Sequence, residues 1–214
     1  MKTIIILLLA LAASQPVYAA VGCDLNDPDR DVKRLFPGST GYRTTYFSIS
    51  GKGGKELLSK IEKRLGDRFH GLYETIEVPY TLYEIYKGTN RVGYIHGVNQ
   101  KGRYGGIQVF LTIDPAGKIL GLYFQKLTSK EARLLRDEKF GRQFYGMDLS
   151  DFYSYDVLGG KSSGKSRVAG IKNPAPEAGD DFRATLRAVK KNLILMDEFV
   201  FGNRYLKYFS GGGK

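Results

Sequence analysis

Residues 93–126, GYIHGVNQKGRYGGIQVFLTIDPAGKILGLYFQK, constrain the fold more than any other stretch of the chain. They hold three apolar, β-branched runs at 93–98, 107–113 and 119–124. The glycine-rich segment 101–106 joins the first two runs, and Asp114-Pro115-Ala116-Gly117 joins the last two. Turn residues of this kind between strand-like runs specify antiparallel hairpins, because glycine and Asp-Pro-x-Gly supply the backbone angles a tight reversal needs. Residues 80–87 read as one more strand, entering the same unit through a turn at 88–90. The expectation is a four-stranded meander over about 80–124.

Helices are expected around it. Residues 27–36 carry Asp27 as N-cap, Pro28 in the first turn and acids at the positive end of the helix dipole. Residues 42–50 alternate like a strand. Residues 55–65 place Leu57, Leu58, Ile61 and Leu65 on one face, with Gly66 at the C′ position. Thr128 and Glu131 have the spacing of a capping box, which predicts a helix to about Asp137. In the last helix, capped by Asp180 and stopped by Gly202, Phe182, Leu186, Val189, Leu193, Met196 and Val200 form a core-facing stripe. The predicted fold is α+β: an antiparallel, half-barrel-like sheet flanked by helices, with the long C-terminal helix packed on it. It occupies residues 27–209 as one domain.

The ends read differently. Lys2, the ten-residue apolar run 4–13 and the small residues Val17 and Ala19 make residues 1–19 a secretory signal peptide, its core too short to span a bilayer. The chain is therefore expected in the periplasm or on the extracytoplasmic face of the membrane. Residues 20–26 read as a linker and 210–214 as a disordered tail. Cys23 is the only cysteine, which excludes an internal disulfide. It is either a free thiol or, through a weak lipobox at 20–23, a lipid anchor; the free thiol is favoured.

Charge narrows the function classes. Lysine and arginine number 33 against 22 acids, a formal charge of +11. The basic residues are scattered, which fits a solvated surface or work beside an anionic membrane or polymer, and no nucleic-acid-binding motif is present. The two histidines, His70 and His96, have no partner at metal-ligand spacing, and no nucleophile–base arrangement is apparent. His96 lies in a strand, where a surface or hydrogen-bonded core role is expected. Asp148, Asp151, Asp180 and Asp181 read as helix caps. The basic, small-residue stretch 159–170 is either mobile or wrapped around something anionic. Tyr123, Phe124, Phe140, Phe144, Phe152 and Tyr153 could stack on a flat ring, although such residues are usually core and periodicity does not separate the two cases. Arg183 and Arg187, four apart, form either a solvated face or a phosphate contact near a helix N-terminus.

Three runs carry a family resemblance: Arg91-Val92-Gly93-Tyr94-Ile95, then KGRYGGIQV at 101–109, then IDPAGKI at 113–119. They resemble the FMN-binding domain of periplasmic flavoprotein subunits in Rnf and Na⁺-translocating quinone reductase complexes, and of nitrous-oxide reductase regulators. The segments KRLFPG at 33–38 and FGRQFYG at 140–146 resemble others of that domain, and the likeness covers most of residues 28–200. It implies an FMN carrier relaying electrons, with a membrane redox complex or another envelope electron carrier as partner. Tyr104, Phe140 and Phe144 would supply the flavin slot. Gly105, Gly106, Arg183 and Arg187 would meet the phosphate, together with the basic loop at 161–167. Lys126 and Arg142 would tune the potential. The family's central E-T-P-G-x-G loop is replaced by LTSKEA at 127–132. Its covalent-flavin motif is replaced by DFRAT at 181–185, where Thr185 keeps the attachment position. The flavin is accordingly expected to be non-covalent. The alternative is a flavin-free basic binding or assembly module at the membrane surface or cell wall.

Overall fold

The computed structural model describes residues 22–163 and 166–209. The predicted signal peptide, the tail and Lys165 of the basic loop lie outside them. In chain order the elements are α1 (Pro28–Leu35), β1 (Gly41–Phe47), α2 (Ile49–Lys52), α3 (Gly54–Leu65), β2 (Tyr80–Lys87), β3 (Asn90–Lys101), β4 (Gly106–Ile113) and β5 (Ile119–Leu127). The short helices α4 (Ala132–Leu135), α5 (Glu138–Arg142) and α6 (Leu149–Phe152) follow. A two-stranded ribbon of β6 (Tyr155–Asp156) and β7 (Lys161–Ser162) precedes the long α7 (Gly179–Phe199).

Strands β1 to β5 form one open antiparallel sheet in sequence order. The meander is therefore as predicted, with the 41–47 strand added at its edge: Phe47 pairs with Tyr80 and Gly41 with Tyr86. Alternation along β3 assigns its two faces. Tyr94 and Val98 join the larger core under α7, while Ile95 points into a smaller core with Tyr83, Ile85, Phe110, Leu25 and Val32. Both faces are thus covered, which is why β2 is buried almost throughout instead of alternating. Gly97 permits this packing, since a Cβ there would lie 2.4 Å from the Phe110 ring.

Local expectations hold where the chemistry is local. Asp27 caps α1 through the Arg30 N–H, and Gly66 closes α3 at φ 78°. Asp148 and Asp151 form a reciprocal capping box on α6. Thr128 does not make the box expected of it: its N–H bonds Gly106 O, prolonging the strand pairing, and α4 begins only after Glu131, which makes no side-chain cap. Asp180 is not the cap of α7 either. The helix starts at Gly179 and Asp180 lies in its first turn. In the segment 22–26, Cys23 and Leu25 are buried and the Leu25 N–H bonds the Tyr83 hydroxyl at 3.0 Å. Among the described residues no helix is long and apolar enough to cross a membrane.

Candidate anion-binding site

α7 organises the chemistry of the molecule. Opposite its apolar stripe, where the sequence left a solvated face or a phosphate contact open, Asp181, Thr185, Arg187, Lys190, Lys191, Asn192 and Asp197 are all buried. A helix wrapped on all sides must find partners for such groups, since an unpaired buried charge costs several kcal/mol. Most are found. Arg187 donates to Glu74 Oε1 at 2.6 Å, Asp67 Oδ2 at 2.7 Å and Gln100 Oε1 at 2.6 Å. Lys191 bonds the same Glu74 carboxylate and Asn99 O. Burial pushes the Glu74 carboxyl up, and the Lys191 and Arg187 cations outweigh it, leaving a pKa of about 2. Arg64 is held by Asp197, Glu198 and the Tyr153 hydroxyl. His96 meets Asn192 across 2.8 Å, and its Nε2 has no partner among the described residues. The ring is thus a neutral, hydrogen-bonded core histidine, with burial lowering its pKa to about 4.

Lys190 differs from these. Its side chain is buried with 4 % exposure, and its ammonium donates to Tyr155 O at 2.7 Å but meets no carboxylate among the described residues. Burial lowers its pKa to about 8, with the nearby Asp156 charge opposing the shift. An ammonium has three donors, and one is used. Lys190 lines a cavity of about 500 Å³ between the end of α3, the β6–β7 ribbon and α7. Exposed Lys63 and Lys161 stand on the same lining and make no salt bridge among the described residues. Lys63, in the last turn of α3, also answers the carbonyl end of that helix; Lys161 and Lys190 have no such duty. The one lining carboxylate, Asp156, accepts the Leu158 N–H at 2.9 Å and braces the ribbon turn. Ser154, Ser162 and Ser163 add hydroxyls, and Tyr155 brings a buried hydroxyl without a partner among the described residues.

The residues nominated through the flavin resemblance are distributed over four places. Tyr104, Gly105, Gly106 and Lys126 cluster at the β3–β4 hairpin, with Lys130 over the Tyr104 ring at 5.1 Å. Phe140 and Phe144 are core residues packed edge-to-face at 5.3 Å, with 1 % and 0 % exposure, so no flat slot opens between them. Arg142 is exposed and bonded to Glu138. Thr185 is buried, its hydroxyl donating to Asp181 O at 2.8 Å. Arg183 is bonded to Asp180, and Arg187 is engaged by Glu74 and Asp67, not by solvent. The hairpin does meet the start of α7: the Arg103 N–H bonds Asp181 Oδ1 and its guanidinium bonds Asp180, both at 2.8 Å. These carboxylates occupy the donors that a flavin phosphate would need, and they carry the same sign of charge. Phe140 and Phe144 thus lie in the core, and Thr185 and Arg187 in the buried polar network of α7. Among the described residues, no group of histidine, cysteine and acids is placed to hold a metal.

Of the cavity's cations, sequence reasoning reached only Lys161, as part of a loop suited to an anion. Lys63 and Lys190 were missed, because a lysine on a periodic helix reads as solvent-facing. By whole-sequence comparison the chain matches no protein-family model and no curated protein, so the flavin resemblance rests on its motifs alone.

Proposed function

We infer that this protein is an exported anion-binding module that works without flavin, at a membrane surface or on a cell-wall polymer. One observation carries the reading: Lys190 is a buried cation with no carboxylate partner among the described residues, and it lines a cavity together with Lys63 and Lys161, which make no salt bridge among those residues. Elsewhere the fold neutralises its buried cations, as Glu74 does for Arg187 and Lys191, and Asp197 for Arg64. Leaving Lys190 uncompensated costs stability and makes sense where an anionic ligand completes the site. The formal charge of +11 supports attraction to an anionic surface over a longer range.

The test has two parts. An absorbance spectrum of the protein as purified from its exported fraction should show no flavin bands. Binding to anionic vesicles or polymer should weaken steeply with salt. A yellow chromophore that stays with the folded chain would replace this reading with electron relay by the flavin.

A further inference from the structure

We propose that the protein pairs with a second copy of itself through the open edge of its sheet. β1 of one copy lies antiparallel to β1 of the other, centred on Thr44, and the two five-stranded sheets become one. The inference goes beyond the anion-binding reading and does not depend on it.

An edge strand presents unpaired N–H and C=O groups that template another strand, and the two edges of this sheet are treated differently. The β5 edge is closed by the chain itself. Ile119 exchanges backbone bonds with Gly146 and Met147, both at 2.8 Å, and the Arg136 guanidinium donates to Phe124 O. The register also gives β5 an extra residue at Leu120 and at Gln125, and such bulges interrupt a strand as a template. The β1 edge has none of these devices. Among the described residues only β2 pairs with it. Its seven residues run in unbroken register and contain no proline. Its one charged side chain, Arg43, is held by Glu84 of the neighbouring strand, with Nε to Oε2 at 2.6 Å. Tyr46 stands on this strand 65 % exposed. Natural proteins blunt or cover an edge of this kind.

The strand's own sequence points to a second copy as the cover. Thr44 is the middle residue of Gly41–Phe47, so a two-fold axis there is the arrangement that pairs the whole strand. Tyr42 then meets Tyr46 of the second copy, Gly41 meets Phe47, Arg43 meets Thr45, and Thr44 meets its own counterpart. Aromatic and threonine pairs are stabilising cross-strand neighbours, and an aromatic side chain covers a glycine opposite it. No like charges stand directly opposite one another. The two Arg43 residues come to diagonal positions, each beside its own Glu84. Shifting the axis to Arg43 would set these cations face to face and leave Tyr46 and Phe47 outside the pairing. The axis is perpendicular to the sheet, so α7 of both copies lies on one side of it. The two cavities are therefore on that same side, where one anionic surface can engage both.

Sedimentation velocity of the exported protein from about 1 to about 200 μM, the range for a small interface, tests the pairing. A monomer–dimer equilibrium is expected. Two strongly basic copies repel at long range, so the dimer should tighten about threefold or more between about 0.05 and about 0.5 M salt. Thr44→Lys sets two ammonium groups face to face on the axis and should raise the dissociation constant about tenfold or more. Tyr46→Ala, at an exposed position, removes both aromatic pairs and should raise it about threefold. Circular dichroism checks that each variant is folded, and Tyr46→Ala carries the test if Thr44→Lys is not. Register is read with a short bismaleimide, since Cys23 is buried. It should capture Thr44→Cys dimers and not Tyr46→Cys, whose two copies lie four residues apart along the pairing, about 14 Å. A protein that stays monomeric throughout, leaving the edge to a strand of another protein, overturns the proposal. So does a dimer indifferent to every folded variant, or one captured at Tyr46→Cys and not at Thr44→Cys. Salt strengthens this pairing and weakens anion binding, so the two readings fail separately: a monomer that still binds anions sinks only this one, and a dimer that binds none sinks only the other.

Discussion

Lys190→Met should make the protein more stable while weakening its hold on anions. Burial lowers the lysine from 10.5 to about 8, so folding discourages its charged form by about 2.5 pH units. At about 1.36 kcal/mol per unit that is a cost of about 3 kcal/mol at neutral pH, where the unfolded and folded lysines are both charged. Methionine removes the cost and fills a similar volume. It also removes the bond to Tyr155 O, worth about 1 kcal/mol, and leaves that carbonyl short of a donor. The balance is a gain of roughly 1–2 kcal/mol, or about 2–8 °C in Tm for a domain of this size. The pH dependence fixes the cause. The folded state releases its proton near pH 8 and the unfolded state near 10.5, so wild-type stability rises with pH across that window. The advantage of the variant should therefore shrink over the same interval. Urea melts followed by circular dichroism at several pH values measure both quantities. A variant destabilised by more than about 1 kcal/mol, with a pH-independent difference, would show that Lys190 is a latch for the ribbon and refute the reasoning.

Other consequences follow from the same packing. Glu74→Gln leaves Arg187 and Lys191 buried without their shared carboxylate and should cost about 3–5 kcal/mol in denaturant melts. In the wild type the stability supplied by Glu74 is complete above pH 4.5 and is lost as pH falls toward 2, which Glu74→Gln should abolish. His96 is neutral in the core, with a folded pKa of about 4 against 6.5, so stability should fall by about 1.4 kcal/mol for each pH unit of acidification from 6.5 to about 4. His96→Gln should flatten that slope; a wild-type melt insensitive to pH there would contradict the assignment. Cys23 has 0 % exposure and burial raises its thiol to about 12. It should resist maleimide at neutral pH until denaturant is added, and intact mass should show no lipid on it.

The sheet was legible because its signals are local. Turns at 88–90 and 114–117, apolar runs of strand length and the Gly66 cap are each decided within a few residues, and the structure places strands and cap accordingly. The stripe from Leu186 to Met196 was legible for the same reason, since periodicity along a helix is written in adjacent turns. The polar side of α7 was not legible. Arg187 and Lys191 look solvated until Glu74, more than a hundred residues earlier in an irregular segment, is brought against them. The capping box at Thr128 failed for a related reason: its N–H was claimed by Gly106 across the sheet, a tertiary contact that overrides a local propensity. The candidate site mixes the two cases. The basic small-residue run that includes Lys161 announced an affinity for anions, whereas Lys190 becomes distinctive only once its burial and its lack of a carboxylate are known.

The central claim is that unpaired lysines around this cavity hold an anionic ligand. Co-sedimentation of the protein with anionic vesicles from about 0.1 M to about 1 M salt, where the screening length falls from roughly 10 to 3 Å, tests it most directly. The account predicts binding that is lost across this range and is reduced by Lys190→Met and Lys161→Gln at the low end. No binding at low salt, or binding that ignores both salt and the two substitutions, would contradict it.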